Sequence, residues 1–343
     1  MPDPRLIDIA QAMRRHEHAI AERVTEEFLR RHPDWLDRYG DRARTAGIED
    51  ARFHVQFLSA AVENDSPEAF RDYVRWTTGV LEARRIDRTF LAENLVQVRA
   101  ALAAALPPEQ FAAIDRYFAL PEPAGQPVDS PGDDGSPLAL TRSLFVQAIL
   151  RGEHRAAVNI ATEALRNGAS MPDLYVDVFQ ESLYEVGRRW ERNVISVAQE
   201  HMATAVTQFV MAQMYEHIPP SAATRGKAVL TGVPGEMHHV GALMVSDMLE
   251  AHGWEAQYLG SNLPVPSVIG TLRDTTPDVL GISVTMLFNV HHATRLIKEV
   301  RDLGRPIRIV VGGGAFRVRQ AWRDNGADDY APDLRSAVSL LCS

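Results

Sequence analysis

The chain has 343 residues, 45% of them hydrophobic, and a formal charge of −9; this suits two or three globular cores and argues against direct DNA binding, because phosphate recognition needs a basic surface. No apolar run approaches the roughly eighteen residues of a membrane span, and the start, Met1-Pro2-Asp3-Pro4-Arg5, has no signal-peptide pattern, so a cytoplasmic protein without a membrane partner is expected. The single cysteine, Cys342, excludes an internal disulfide and a thiol-rich metal site, and argues against a thioether-held chromophore.

Residues 4 to 118 hold no convincing alternating strand. Apolar residues instead recur at helical spacing, with Ile20, Val24 and Phe28 on one face and Phe70, Val74 and Leu81 on another, flanked by Tyr73 and Trp76. Ser66-Pro67-Glu68 predicts a helix start with a serine cap, Asp87 can cap a helix carrying Phe90, Leu91, Leu95 and Val98, and Pro107-Pro108 precedes a last helix around Phe111 to Phe118. An all-α bundle over residues 1–120 is expected. The run from Phe70-Arg71-Asp72-Tyr73-Val74-Arg75-Trp76 through Leu81-Glu82-Ala83-Arg84-Arg85-Ile86 resembles the globin-related, haem-free sensor domains of bacterial signalling proteins. His54, among Phe53, Val55, Phe57 and Leu58, can face a tetrapyrrole or, more plainly, sit satisfied in the core. His16, His18 and His32 lie among Arg and Glu and read as solvated.

Residues 121–137 are rich in proline, glycine and acid and predict a tether. Residues 138–218 then read as four amphipathic helices, interrupted near Asn167-Gly168 and Asn193. Within them Trp190 is followed by nine residues, 191 to 199, and then Glu200-His201. By themselves these would be a buried tryptophan and a surface Glu-His pair.

Over residues 225–343 strands alternate with helices. Strands are expected at Ala228–Val233, Ala256–Gly260, Val279–Thr285 and Arg308–Gly312, with a short fifth near Asp328–Tyr330, and helices at Pro264–Asp274 and Asn289–Leu303. This is the pattern of a doubly wound parallel sheet, Rossmann- or flavodoxin-like. Between the first strand and a helix carrying Val240, Leu243, Met244, Met248 and Leu249 lies Gly235-Glu236-Met237-His238-His239-Val240-Gly241, at the carboxyl end of the sheet where such folds place ligands. After Gly241 come 41 residues, 242 to 282, before Ser283-Val284-Thr285, and then 26, 286 to 311, before Gly312-Gly313. The glycines are not a dinucleotide fingerprint, since no acidic ribose partner follows them. Adjacent His291 and His292 should point apart on their helix and so make a poor metal pair.

Glu236-x-His238-x-x-Gly241, Ser283-x-Thr285 and Gly312-Gly313 in this order and spacing resemble the cobalamin-binding domain shared by cobalamin-dependent methyltransferases, mutases and light-sensing regulators. The resemblance implies cobalamin bound with its own base displaced. His238 would be the axial cobalt ligand and Glu236 would fix its tautomer, while Gly241, Ser283, Thr285, Gly312 and Gly313 would accommodate the buried nucleotide tail. His239 is an alternative ligand outside the register. Trp190, the nine-residue gap and Glu200-His201 are similar to the helical cap of adenosylcobalamin photoreceptors. That likeness implies Trp190 as cavity wall, Glu200 as adenosyl contact and His201 as a polar lid. Where those regulators carry a second cobalt-capturing histidine, directly after the tryptophan, this chain has Glu191, and it shows no basic helix-turn-helix.

The three-module layout also resembles the photocobilins, which implies a noncovalent bilin such as biliverdin, with His54, Tyr73 and Trp76 as candidate contacts. The expectation is therefore a non-enzymatic photoreceptor in which light cleaves the cobalt–carbon bond of adenosylcobalamin and shifts the cap. Its partners would be these chromophores and an unidentified protein or a second copy. The alternative is a corrinoid carrier protein of a methyltransferase system; a mutase or methyltransferase usually brings a barrel of about 250 residues or a dedicated partner to hold its substrate, and the helical residues before the cap do not fit a barrel.

Overall fold

In the computed structural model, which describes residues 3–119, 135–218, 225–317, 323 and 325–342, the chain divides into two units, Met1–Gln126 and Pro127–Ser343. The expected tether lies outside the described residues except for its last three.

The first unit is helical throughout its described length. Its helices are α1 (Pro4–Arg31), α2 (Asp34–Tyr39), α3 (Asp41–Glu63), α4 (Pro67–Ala83), α5 (Thr89–Ala105) and α6 (Pro108–Ile114), the last running into a 3₁₀ turn at Asp115–Phe118. Local chemistry sets the starts. Asp3 accepts the Arg5 amide at 2.9 Å and the Ser66 hydroxyl accepts that of Ala69, each followed by proline in the first turn. Asp87 accepts the Thr89 amide at 2.9 Å, but the capping position is Arg88, one residue beyond the expected cap. Met13, Leu58, Phe70, Leu102 and Ile114 are fully buried, and Arg14 on α1 reaches Glu63 at the end of α3 at 2.9 Å.

The second unit begins with four helical rods. They are α7 (Ala139–Leu150), α8 (His154–Arg166), the continuous run α9 (Met171–Asp173), π-helical Leu174–Gln180 and α10 (Glu181–Glu191), and then α11 (Val197–Met214). The breaks fall where left-handed residues allow them, at Gly168 (φ 96°) and Asn193 (φ 56°). Ser196 and Gln199 form a reciprocal capping box at the start of α11.

Five parallel strands follow: β1 (Gly226–Gly232), β2 (Trp254–Tyr258), β3 (Val279–Ser283), β4 (Arg308–Gly312) and β5 (Asp329–Ala331), in the order β2-β1-β3-β4-β5. The connecting helices are α12 (Val240–Ala251), α13 (Val265–Thr275) and α14 (Val290–Arg301), and Leu334–Cys342 closes the chain. In this order the direction of winding reverses between β1 and β3, which opens a crevice at their carboxyl ends. The bundle packs on the sheet domain through α12. Val240, Met244 and Met248, with Leu334, belong to the same buried cluster as Phe145, Tyr175, Phe179 and Val210 of the bundle. Burial of each such side chain contributes about 1.5–3 kcal/mol. Arg335 adds contacts to Asp173 and Asp177 at 3.2 and 3.1 Å. Among the described residues no helix is long and apolar enough to cross a membrane.

Candidate functional site

At the carboxyl ends of β1 and β3, Glu236 joins the loops that follow the two strands. Its side chain is completely buried, and five donors converge on it. The His238 backbone N–H and ring Nδ1 reach Oε1 at 3.0 and 2.7 Å, while the amides of Thr285 and Met286 and the side chain of Asn289 reach Oε2 at 2.9, 3.1 and 3.2 Å. Burial works against the charge, but the hydrogen bonds from the His238 ring and from these amides outweigh it and hold the carboxyl down at about 2. Glu236 is therefore ionised and acceptor-only, so His238 Nδ1 carries a proton, and in the neutral ring the lone pair lies on Nε2. The His238 side chain is 57% exposed. Its hydrogen bond to Glu236 raises its proton affinity against the effect of burial, and the charges of Glu236 and Glu200 raise it further.

An imidazole backed by a buried carboxylate is a basic, oriented metal ligand. A single such ligand suits a metal that arrives with its other ligands in place, and among the described residues no group of three or more His, Cys, Asp or Glu could hold a bare ion. Room exists beside it. A Cβ at Gly241, in the first turn of α12, would meet no atom within 4 Å. Across the mouth of the sheet, Gly232, Ser283, Gly312 and Ala331 stand in register on four neighbouring strands, a row of small residues.

The structure sorts the other candidates. Thr285 meets Glu236 through its backbone, one step removed from the hydroxyl role expected for it. Gly312 and Gly313 were expected to leave space for a ligand; Gly313, at φ 94°, is instead demanded by the chain itself, because a Cβ there would lie 2.3 Å from the Val284 carbonyl oxygen. Trp190 is partly buried and packs on the core of the bundle. Glu200, in the first turn of α11, comes close enough for its charge to act on His238. His201 does not join them: its side chain is 75% exposed and its Nδ1 lies 3.0 Å from Val197 O and 2.6 Å from Glu200. His291 and His292, expected to diverge, have ring centroids 3.9 Å apart, with His291 Nδ1 at 2.7 Å from the Phe288 carbonyl.

In the first unit His54 Nδ1 lies 2.7 Å from the Tyr73 hydroxyl, both residues are buried, and Tyr73 stacks on Phe57. Burial lowers the His54 pKa to about 4, so the ring is neutral and satisfied inside the bundle. Trp76 stands at the surface, 41% exposed.

Sequence reading missed Asn289, Gln208 and Tyr258. Asn289 had a signal, an amide at the start of a helix four residues past Thr285. Gln208, whose side chain meets His239 Nε2 at 2.5 Å, and Tyr258, whose hydroxyl meets the His239 carbonyl at 3.2 Å, had none, because both contacts are tertiary.

Two models of the B12 binding domain match this chain, one over residues 226–339 and one over residues 142–215. A dimethylamine corrinoid protein of Methanosarcina barkeri is 28% identical over 158 residues, 45% of this chain and 74% of the relative. Dimethylamine corrinoid protein 2 of Methanosarcina mazei is 25% identical over 186 residues, 53% and 87%. Among solved structures, the monomethylamine corrinoid protein of Methanosarcina barkeri covers 59% of this chain and 97% of its own at a TM-score of 0.52 and 19% identity, a likeness of fold. These relatives correct the expectation of a photoreceptor and favour its alternative.

Proposed function

We propose that this cobalamin-binding protein is a corrinoid carrier of a methyltransferase system. It is not itself a catalyst. The observation that carries the reading is the exposed His238 imidazole with Nδ1 committed to the buried, ionised Glu236, in a chain similar to methylamine corrinoid proteins. His238 would hold the cobalt through Nε2. By holding the proton on Nδ1, Glu236 directs the neutral ring's lone pair to Nε2 and makes that nitrogen a more basic donor to the metal, and Thr285, Met286 and Asn289 keep Glu236 in place. Gly241, Ser283, Thr285, Gly312 and Gly313 would flank the nucleotide tail, and Trp190 and Glu200 would form the bundle's wall of the site, with His201 at its solvent edge. When bound, cobalamin supplies a cobalt centre that accepts a methyl group and gives it up. The likeness to dimethylamine corrinoid proteins supports a small methylated amine as the methyl source, and a carrier of methyl groups requires a methyltransferase as its partner. The carrier reading calls for neither an adenosyl group nor biliverdin. For the first unit we keep the globin-related architecture as a proposal from its sequence.

The 343-residue chain incubated with methyl-labelled methylcobalamin should retain one cofactor per chain and pass the label to a thiol acceptor only when a methylamine-type methyltransferase pair is added. His238→Ala should keep the fold and lose most of the transfer. Cofactor bound tightly by the wild type, with no methyl passed on, would sink the carrier reading.

A further inference from the structure

His239, the neighbour of the proposed ligand, has both ring nitrogens engaged. Nδ1 lies 2.9 Å from the Met237 carbonyl, which can only accept, so Nδ1 carries the proton. Nε2 is then an acceptor, and the Gln208 side-chain N–H donates to it at 2.5 Å. The backbone of His239 is held as well: its carbonyl accepts from the Tyr258 hydroxyl at 3.2 Å and from the Leu243 amide at 3.2 Å, the first hydrogen bond of α12. Three elements thus meet at one loop residue: α11 through Gln208, β2 through Tyr258, and α12. Glu200 and Gln208 lie eight residues apart on the same face of α11. One helix of the bundle therefore acts on both histidines, by charge on His238 and by hydrogen bond on His239.

We propose that Gln208 is a positioning residue for the cobalt ligand: by gripping the His239 ring it fixes the loop at 237–239, and with it His238, against α11. This rests on the reading of His238 as the axial ligand. It gives the second histidine of the loop a role as an anchor, not as a reserve ligand. It also makes the ligand loop and the bundle move together. A ligand loop released from α11 samples more orientations, and His238 then competes less well with the cofactor's own base. Partners hydrogen-bonded to a metal ligand typically contribute 10- to 100-fold to its binding, and Gln208, which reaches His238 only through His239, is expected at the lower end, about tenfold.

The test uses full-length protein and two readouts. In cofactor-free protein, amide hydrogen exchange over residues 237–243 should be about tenfold faster in Gln208→Leu than in the wild type, with the rest of the sheet unchanged. In nitrogen-15-labelled protein loaded with cobalamin and reduced to cobalt(II), electron paramagnetic resonance distinguishes a protein nitrogen on the metal, which splits each line into a doublet, from the cofactor's own unlabelled base, which gives a triplet. The wild type should show the doublet. Gln208→Leu should shift the ratio toward the triplet by about tenfold, His239→Phe should do the same, and the double variant should add little to either. Should Gln208→Leu fold poorly, Gln208→Met keeps the unbranched length of glutamine without its donor. A wild-type doublet with exchange and ratio both unchanged in the Gln208 variants would overturn the role of Gln208 and leave the ligand standing. A wild-type triplet would overturn the ligand reading and this inference with it.

Discussion

Desolvating a carboxylate as fully as Glu236 is desolvated costs several kcal/mol, and what offsets the cost is the convergence of five donors from the loops after β1 and β3. The same donors lock His238, so the stability of the crevice and the readiness of the ligand have one physical origin. Two glycines separate the demands of the fold from those of the site. Gly313→Ala forces a Cβ against the Val284 carbonyl at a φ of 94° and should destabilise the protein by about 2 kcal/mol or more in urea unfolding. Gly241→Ala meets nothing within 4 Å and replaces a helical glycine. It should stabilise cofactor-free protein by up to about 1 kcal/mol, yet weaken cobalamin binding in an equilibrium titration. If Gly241→Ala bound cobalamin as tightly as the wild type, the space beside His238 would not be used by the cofactor.

At the scale of elements, α12 connects the ligand loop to the bundle, and part of that contact is polar. The Tyr175 hydroxyl, on the π-helical segment, donates to Asp247 at 2.8 Å, and Tyr215 donates to Glu250 one turn later on α12. Burial, assisted by the nearby Glu250 and opposed by the Tyr175 hydrogen bond, raises the Asp247 carboxyl from 3.8 to about 6. A folded-state pKa above the unfolded value favours the protonated form in the native protein. This group's contribution to stability is therefore complete below the unfolded value and is lost as pH rises through the folded one. The window between them corresponds to on the order of 2–3 kcal/mol. Asp247→Asn removes the charge and keeps an acceptor for Tyr175. The stability difference between Asp247→Asn and the wild type should therefore be small near pH 4 and grow in favour of the variant toward pH 7, read from urea midpoints across that range. A difference that does not change with pH would show that Asp247 titrates alike in the folded and unfolded chains.

At the scale of the whole molecule, both matched B12 binding domains fall within the second unit, and the proposed ligand, the residue behind it and the helix that grips the loop all belong to that unit. A fragment spanning residues 135–343 should therefore fold and bind one cobalamin per chain with the affinity of the full protein, measured by absorption titration and gel filtration. The first unit expressed alone should bind none. A fragment that folds but binds at least tenfold more weakly would assign part of the site to the first unit.

The sequence alone determined what depends on short-range spacing. The alternation of strand and helix gave five parallel strands, the serine and proline signals gave helix starts, and Glu236 and His238 were legible as a pair through the resemblance carried by three motifs in register, a pair that one loop can close because so little backbone separates them. Tertiary structure alone decided what depends on packing between distant segments. Asn289 reaches Glu236 across 53 residues and Gln208 reaches His239 across 31; the place of Asn289 at a helix start was legible but its partner was not, and nothing local marks Gln208, because only the winding of the sheet and the docking of α11 bring these pairs within reach. The glycine run shows both sides: its place after β4 was legible, but whether Gly313 makes room for a ligand or for Val284 depends on which backbone lies opposite, and that is fixed only when β3 and β4 pair.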